Sequence, residues 1–138
     1  MMASAFHLSL PCTSIKATKD FYLNVVGASL GRHAQNWVDV NLFNNQITFT
    51  KAGKYDFNSP NYTFEKTILP AFHFGVILEE EQWKMVRQRL KSKKAAIQVE
   101  ATFLKEKVGE HNSFFVKDPN GYILEFKCFA GKDQVFQS

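Results

Sequence analysis

Three residues carry side chains that together can bind a metal ion: His7, His73 and Glu125. The histidines hold equivalent places, because Ala5-Phe6-His7 recurs as Ala71-Phe72-His73. Glu125 interrupts an apolar segment, where a buried carboxylate is unfavourable unless it is paired or metal-bound. Two imidazoles and one carboxylate form the facial-triad ligand set, which leaves coordination positions open for substrate or O₂. The pattern predicts a divalent-metal site, although each residue alone is also compatible with a hydrogen-bonded core histidine or an exposed glutamate.

A repeated order of secondary-structure elements is expected to position these side chains. Alternation of apolar and polar residues predicts strands, and two amphipathic segments predict helices, giving the order β-α-β-β-β twice. Both histidines fall on first strands and Glu125 on the last strand. Because one copy alone leaves an apolar face open, paired copies are expected in a single α+β domain with its helices outside. The predicted boundaries are about 4–51 for module one, 52–69 for a linker loop, about 70–128 for module two and 129–138 for a tail.

Composition limits the classes of protein that this chain can represent. With 138 residues and 45% hydrophobic content, it suits one compact domain. No apolar run approaches the roughly 20 residues of a membrane span, and we predict no membrane partner. The N-terminus lacks a signal-peptide pattern, and Cys12 and Cys128 form no disulfide framework, so we expect a reduced cytoplasmic protein. The net charge of +4 is scattered except at Lys84–Lys94, which is interpreted as a solvated helix face, so no nucleic-acid partner is predicted.

A D-P-x-G-x-x-x-E motif occupies Asp118–Glu125. With this motif, the paired modules and the histidine on each first strand, the chain resembles the vicinal oxygen chelate superfamily over about residues 5–129. That superfamily includes glyoxalase I, type I extradiol dioxygenases, and fosfomycin- and bleomycin-resistance proteins. The nearest resemblance is to small bacterial extradiol-dioxygenase-like proteins. It implies a cupped eight-stranded mixed sheet with the metal in its concavity, a small-molecule substrate and a homodimer.

The ligand set distinguishes members of that superfamily. Glyoxalase I uses a fourth ligand, and aligning NNQITFTKA with NGYILEFKC places Phe49 at that position, which disfavours this activity. Bleomycin-resistance proteins lack these ligands, so the presence of all three residues argues against that class. Fosfomycin-resistance enzymes share them, but the segment after Phe126 has two lysines and no arginine. The leading hypothesis is therefore a dioxygenase-like enzyme that acts on a catechol-like substrate with O₂. It would use Fe²⁺, with Mn²⁺ or Zn²⁺ as alternatives. A non-catalytic binding or resistance protein and a fosfomycin-type metal-dependent transferase remain the alternatives.

Residues around the predicted metal suggest further roles. The dioxygenase pattern begins with G-x-H, here Gly109 to His111, and later requires a tyrosine where this chain has Phe115. Since phenylalanine has no hydroxyl group, another group must act on the substrate. His111 is the candidate general base, although a surface loop position without a role is equally compatible. Trp37, Phe49 and Phe115 are candidate pocket walls, with ordinary core packing as the alternative.

Overall fold

The computed structural model of the protein describes residues 4–138. The chain forms two compact units, one ending at Phe57 and the other beginning at Asn58. Each contains one β-α-β-β-β module, so the α+β class and the duplicated element order are confirmed. Among the described residues, no helix has the length and hydropathy that a membrane span requires.

Module one buries one face of a four-stranded sheet. Its helix begins after Ser14, whose hydroxyl group accepts a hydrogen bond from the amide of Ala17, and ends at Gly27, which has φ of 91°. The elements are β1 (His7–Cys12), α1 (Ile15–Lys19) continuing as a π-helix (Asp20–Val26), β2 (Ser29–Ala34), β3 (Trp37–Leu42) and β4 (Asn45–Lys51). The strand order is β1-β4-β3-β2, with β1 parallel to β4 and the other pairs antiparallel.

The predicted linker loop 52–69 is only partly a loop, which corrects the sequence-based prediction. A hairpin is formed by β5 (Asn61–Phe64) and β6 (Thr67–Pro70), joined by a turn at Glu65 and Lys66 with φ of 48° and 67°. Aromatic and β-branched residues on both sides of this turn favour strands despite the surrounding Asn, Ser and Pro.

Module two repeats the arrangement of module one. The elements are β7 (Phe74–Ile77), α2 (Glu80–Ser92), β8 (Ile97–Phe103), β9 (His111–Lys117), β10 (Ile123–Phe129) and a 3₁₀ turn (Lys132–Gln134). The strand order is β7-β10-β9-β8, with a parallel β7–β10 pair. Helix α2 packs through Trp83, Val86 and Leu90, all buried as the helical spacing predicts. The indole N–H of Trp83 donates to the main-chain oxygen of Phe126 at 2.8 Å.

Hydrogen bonding within residues 4–138 gives two four-stranded sheets and one hairpin rather than a continuous eight-stranded ladder. The first strand of each module begins later than the predicted start of that module. β1 begins at His7, against a module start of about residue 4, and β7 begins at Phe74, against about residue 70. His73 therefore lies immediately before β7, not within it.

Candidate functional site

Glu125 lies in the middle of β10, between β7 and β9. It pairs with Gly75 on β7 and with Phe115 on β9, and it is only 5% exposed. Its neighbours Leu124 and Phe126 are fully buried and point to the other face of the sheet. Glu125 is thus a buried carboxylate on the sheet face opposite the one that carries these core residues.

His73 and Ser113 provide the partners that this buried carboxylate requires. Nδ1 of His73 lies 2.9 Å from the carbonyl oxygen of Pro70, and its Nε2 lies 3.1 Å from Oε1 of Glu125. The hydroxyl group of Ser113 donates to Oε2 of Glu125 at 2.6 Å. A carbonyl oxygen only accepts, so Nδ1 carries a proton. In a neutral His73 the Nε2 lone pair would then face a carboxylate oxygen, and a proton or a metal ion must lie between them.

The titration behaviour of the two side chains reflects this contact. The hydrogen bond with Glu125 raises the pKa of His73 above its usual value, although burial opposes the shift. Burial raises the pKa of Glu125, but hydrogen bonds from His73 and Ser113 outweigh this effect and leave its pKa lowered. The ammonium group of Lys127 lies 3.9 Å from Oε1 of Glu125. The carboxylate is therefore ionised at neutral pH, as a metal ligand must be.

The His73–Glu125 pair borders a cavity of about 230 Å³ in module two, lined also by Lys127, Ile77 and Gly75. Phe115 forms an edge-to-face contact with the imidazole of His73, with ring centroids 5.4 Å apart. Phe115 thus lies beside His73, a predicted metal ligand, and the Phe115 side chain itself is almost fully buried.

His7 stands at the start of β1, paired in register with Gln46, and its side chain is exposed. Within residues 4–138, no group of three His, Cys, Asp or Glu side chains is arranged to hold a metal ion. Module two therefore brings together two of the three predicted ligands. The assignment of His7 as the third stays a prediction.

Phe49 does not occupy the position that the sequence alignment gave it. Pairing of His7 with Gln46 puts Thr48 at the place that Glu125 holds in module two, and Phe49 points to the opposite face. Phe49 is fully buried and packs on Tyr22 of the helix, with ring centroids 4.9 Å apart. Phe49 is therefore a core residue, and Thr48 fills the place of a fourth ligand.

His111 is the first residue of β9, whereas Phe115, which pairs with Glu125, is the fifth. Its ring packs near Phe103 and Phe129, with centroids 5.5 and 4.9 Å away, and its Nδ1 lies 2.8 Å from the carbonyl oxygen of Gly109. At about 3.4 Å per residue, the four-residue separation of His111 and Phe115 along β9 corresponds to roughly 14 Å. His111 is thus remote from the His73–Glu125 pair, and its role as general base stays a prediction.

Module one contains a second buried carboxylate, Asp39, that the sequence analysis did not select. It is 3% exposed and lies on the face of the sheet that also carries Trp37. Burial raises the pKa of Asp39, but hydrogen bonds from Thr48, Gln46 and Arg32 lower it below the usual value. A carboxylate in an alternating strand was the signal that could have identified it, as it did for Glu125.

The fold and the site define a two-module protein with a His–Glu pair on one sheet face. The chain belongs to the Glyoxalase/Bleomycin resistance protein/Dioxygenase superfamily, whose family model matches residues 4–126. Members of this superfamily commonly bind divalent metals and small molecules. No curated protein matches the sequence significantly.

Solved structures support the fold assignment. A glyoxalase/bleomycin resistance protein/dioxygenase from Alicyclobacillus acidocaldarius is 21% identical, with 96% of each chain covered and a TM-score of 0.81. The fosfomycin resistance protein FosX from Listeria monocytogenes is 13% identical, with 97% of this chain and 98% of that chain covered and a TM-score of 0.68. The virulence protein STM3117 from Salmonella typhimurium is 19% identical, with 94% and 99% covered and a TM-score of 0.59. At these identities the likeness shows the fold alone.

Proposed function

We propose that this protein is a metal-dependent enzyme of the glyoxalase and extradiol dioxygenase type. Its substrate is a small molecule with two adjacent oxygen atoms, such as a catechol, and its co-substrate is O₂. The observation that carries the proposal is the contact between Nε2 of His73 and Oε1 of Glu125. With Nε2 of His73 unprotonated, two acceptor atoms 3.1 Å apart beside a cavity would fit a cation, and the family supplies a precedent for a divalent metal.

His73, Glu125 and His7 would hold the metal, Fe²⁺ in the first instance, with Mn²⁺ or Zn²⁺ as alternatives. A bound ion would supply Lewis-acid chemistry and, if it is iron, the redox chemistry of O₂. Ser113 fixes Glu125 by donating a hydrogen bond to Oε2. The carbonyl group of Pro70 holds the proton of His73 on Nδ1 and leaves Nε2 for coordination.

Residues around the His73–Glu125 pair would bind and orient the substrate. The ring of Phe115 packs edge-to-face against the His73 imidazole and would shield that side from water. Because Phe115 offers no hydroxyl group, we assign the polarising role to Lys127, whose ammonium group lies near Glu125 and can bind an ionised substrate hydroxyl. His111 would act as a base only on a part of the substrate distant from the metal.

Metal analysis and O₂ uptake test this function. The purified protein is expected to bind about one Fe²⁺ per chain after anaerobic loading, and then to consume O₂ with one member of a catechol panel. Both atoms of O₂ should appear in the ring-opened product. His73→Ala and Glu125→Gln should lose metal, whereas the control His33→Ala, at an exposed histidine on β2, should retain it. Failure of the unmodified protein to bind any divalent metal would overturn the proposal.

A fosfomycin-type reaction is the second candidate, and Lys127 is the observation that favours it. A cation beside the proposed metal suits a phosphonate as well as it suits a catecholate. The Mn²⁺-loaded protein would be incubated with fosfomycin and a thiol, and epoxide opening followed by ³¹P NMR. Metal binding with O₂ uptake excludes this candidate, and metal binding without turnover of either substrate indicates a non-catalytic binding or resistance protein.

We further propose that the protein is a cytoplasmic homodimer. Family members often form dimers, and the cysteines Cys12 and Cys128 are both free and buried. Sedimentation equilibrium should give twice the mass of the 15.8 kDa chain. A monomer across the micromolar range would contradict the proposed assembly.

A further inference from the structure

Module one has a cavity of its own, of about 530 Å³, formed entirely by residues before Phe57. Asp39 lines this cavity together with several side-chain amide groups. This module-one cavity shares no residue with the cavity beside the His73–Glu125 pair. Because Gln46 pairs in register with His7, it lies on the sheet face of the proposed third metal ligand, and the assignment of this cavity rests on the proposed function. Its polar lining consists mainly of Arg32, Asp39, Asn41, Asn44, Asn45 and Gln46.

Both oxygen atoms of Asp39 are engaged by the protein itself. The Thr48 hydroxyl group donates to Oδ1 at 2.7 Å, and Gln46 Nε2 donates to Oδ2 at 3.0 Å. Arg32 Nε donates to the same Oδ2 at 3.3 Å. Asp39 therefore acts as an anchor for Arg32 rather than as a group with free lone pairs for a ligand.

Arg32 is held on two sides and open on the third. Its Nε is fixed by Asp39, and its guanidinium carbon lies 5.7 Å from the ring centroid of Trp37. The side chain remains 79% exposed, and within residues 4–138 its side chain makes no hydrogen bond besides that to Asp39. With Nε occupied, the two terminal nitrogens are left to form the parallel pair of N–H bonds that carboxylates and phosphates accept.

The amide side chains add neutral donors and acceptors around this cation. Since Gln46 uses Nε2 on Asp39, its Oε1 is left as an acceptor. Asn41 accepts from the amide of Asn44 through Oδ1 at 2.8 Å, which leaves its Nδ2 as a donor. We propose that the module-one cavity binds a small hydroxylated organic anion. Arg32 takes the carboxylate or phosphate, and the amides of Asn41 and Gln46 take the hydroxyl groups.

Calorimetry and heteronuclear NMR can test this site with three probes: gluconate, glucose 6-phosphate and uncharged glucose. At least one anion should bind with a dissociation constant below about 10 mM and shift the amide signals of Arg32, Asn41 and Gln46. Arg32→Gln should weaken this binding about tenfold or more, because a charge-assisted pair of hydrogen bonds is lost. The matched control is Arg87→Gln, since Arg87 also pairs with a carboxylate, that of Glu100 in module two, and the same charge is removed.

The comparison between gluconate and glucose 6-phosphate distinguishes a carboxylate ligand from a phosphate ligand.

Arg32→Lys keeps the charge but not the two parallel N–H donors of the guanidinium group, so intermediate affinity is expected. The proposal is overturned if neither anion binds, if glucose binds as well as they do, or if Arg32→Gln and Arg87→Gln weaken binding equally. Anion binding is measured on the metal-free protein and metal binding in a separate Mn²⁺ titration, so failure of the metal site and failure of this site give different results.

Discussion

Gly75 is the residue whose replacement most directly tests the geometry of the His73–Glu125 pair. A Cβ atom at this position would overlap the main-chain oxygen of Glu125 and lie 2.6 and 2.8 Å from its carbonyl carbon and amide nitrogen. Heavy atoms pack best at about 3.5 Å, and main-chain atoms of a paired strand cannot rotate away. Gly75→Ala must therefore push β7 away from β10 by about 1 Å or more.

The expected loss follows from the ladder between these strands. β7 pairs with β10 at four positions, from Phe74 opposite Leu124 to Ile77 opposite Lys127. Weakening two to four hydrogen bonds, each contributing about 1 kcal/mol, should lower the free energy of unfolding by about 2–4 kcal/mol. His73 immediately precedes β7, so its Nε2 should also move away from Glu125. We expect metal affinity to fall about tenfold or more, as for other disturbances of ligand orientation.

Urea denaturation and Mn²⁺ titration against a chromophoric chelator measure the two effects. The control is Gly53→Ala, at a glycine with φ of +76° and no atom within 4 Å of the added Cβ. That change should lower stability by about 1 kcal/mol through backbone strain and leave metal affinity unaltered. If Gly75→Ala is as stable as the unmodified protein and binds Mn²⁺ equally, the close approach of β7 to β10 is refuted.

Three further variants test the surroundings of the two carboxylates. Ser113→Ala should weaken Mn²⁺ binding about tenfold and lower the free energy of unfolding by about 1–3 kcal/mol in urea, since Glu125 loses a donor; unchanged binding would contradict an orienting role. Phe115→Tyr should destabilise by about 1–3 kcal/mol in urea, because the ring is 1% exposed in an apolar cluster with Leu69 and Phe103 and a hydroxyl group would be buried there; equal stability would show an opening. Asp39→Asn should destabilise by about 1 kcal/mol above about pH 5. Because the pKa of Asp39 lies below its usual 3.8, this difference should vanish as the pH falls through the lowered pKa, and a pH-independent difference in urea midpoints would contradict it.

The element order could be predicted from the sequence because it depends on periodicity, which is local. The position of Phe49 could not, because it depends on the length of a turn. In module one, Leu42 pairs with Asn45 across a two-residue turn, whereas Lys117 pairs with Ile123 across five residues. Aligning the letters at the turns therefore shifts the strands by one residue, and a shift of one residue moves every side chain to the other face.

The hairpin β5–β6 was missed for a different reason. Asn, Ser and Pro residues at 58–61 predict a loop, and residues 58–60 do lie in one, but β5 already begins at Asn61. The amide of Phe72 bonds to the hydroxyl group of Ser59 at 2.8 Å, and the amide of Ala71 bonds to the carbonyl group of Pro60 at 2.7 Å. These contacts between the two ends of the hairpin are not visible as periodicity.

A carboxylate in the middle of a strand signalled a site in both modules, but only its partners decide what kind of site. Asp39 receives three donors from side chains of its own module, so its charge is satisfied without any ligand. Glu125 receives one hydroxyl donor and faces the Nε2 of His73, whose Nδ1 proton is already used by a carbonyl group. A proton or a metal ion must lie between Glu125 and Nε2 of His73, whereas Asp39 needs no further group. The same sequence signal therefore indicates an anchored arginine in module one and, in module two, a His–Glu pair that we propose as part of a metal site.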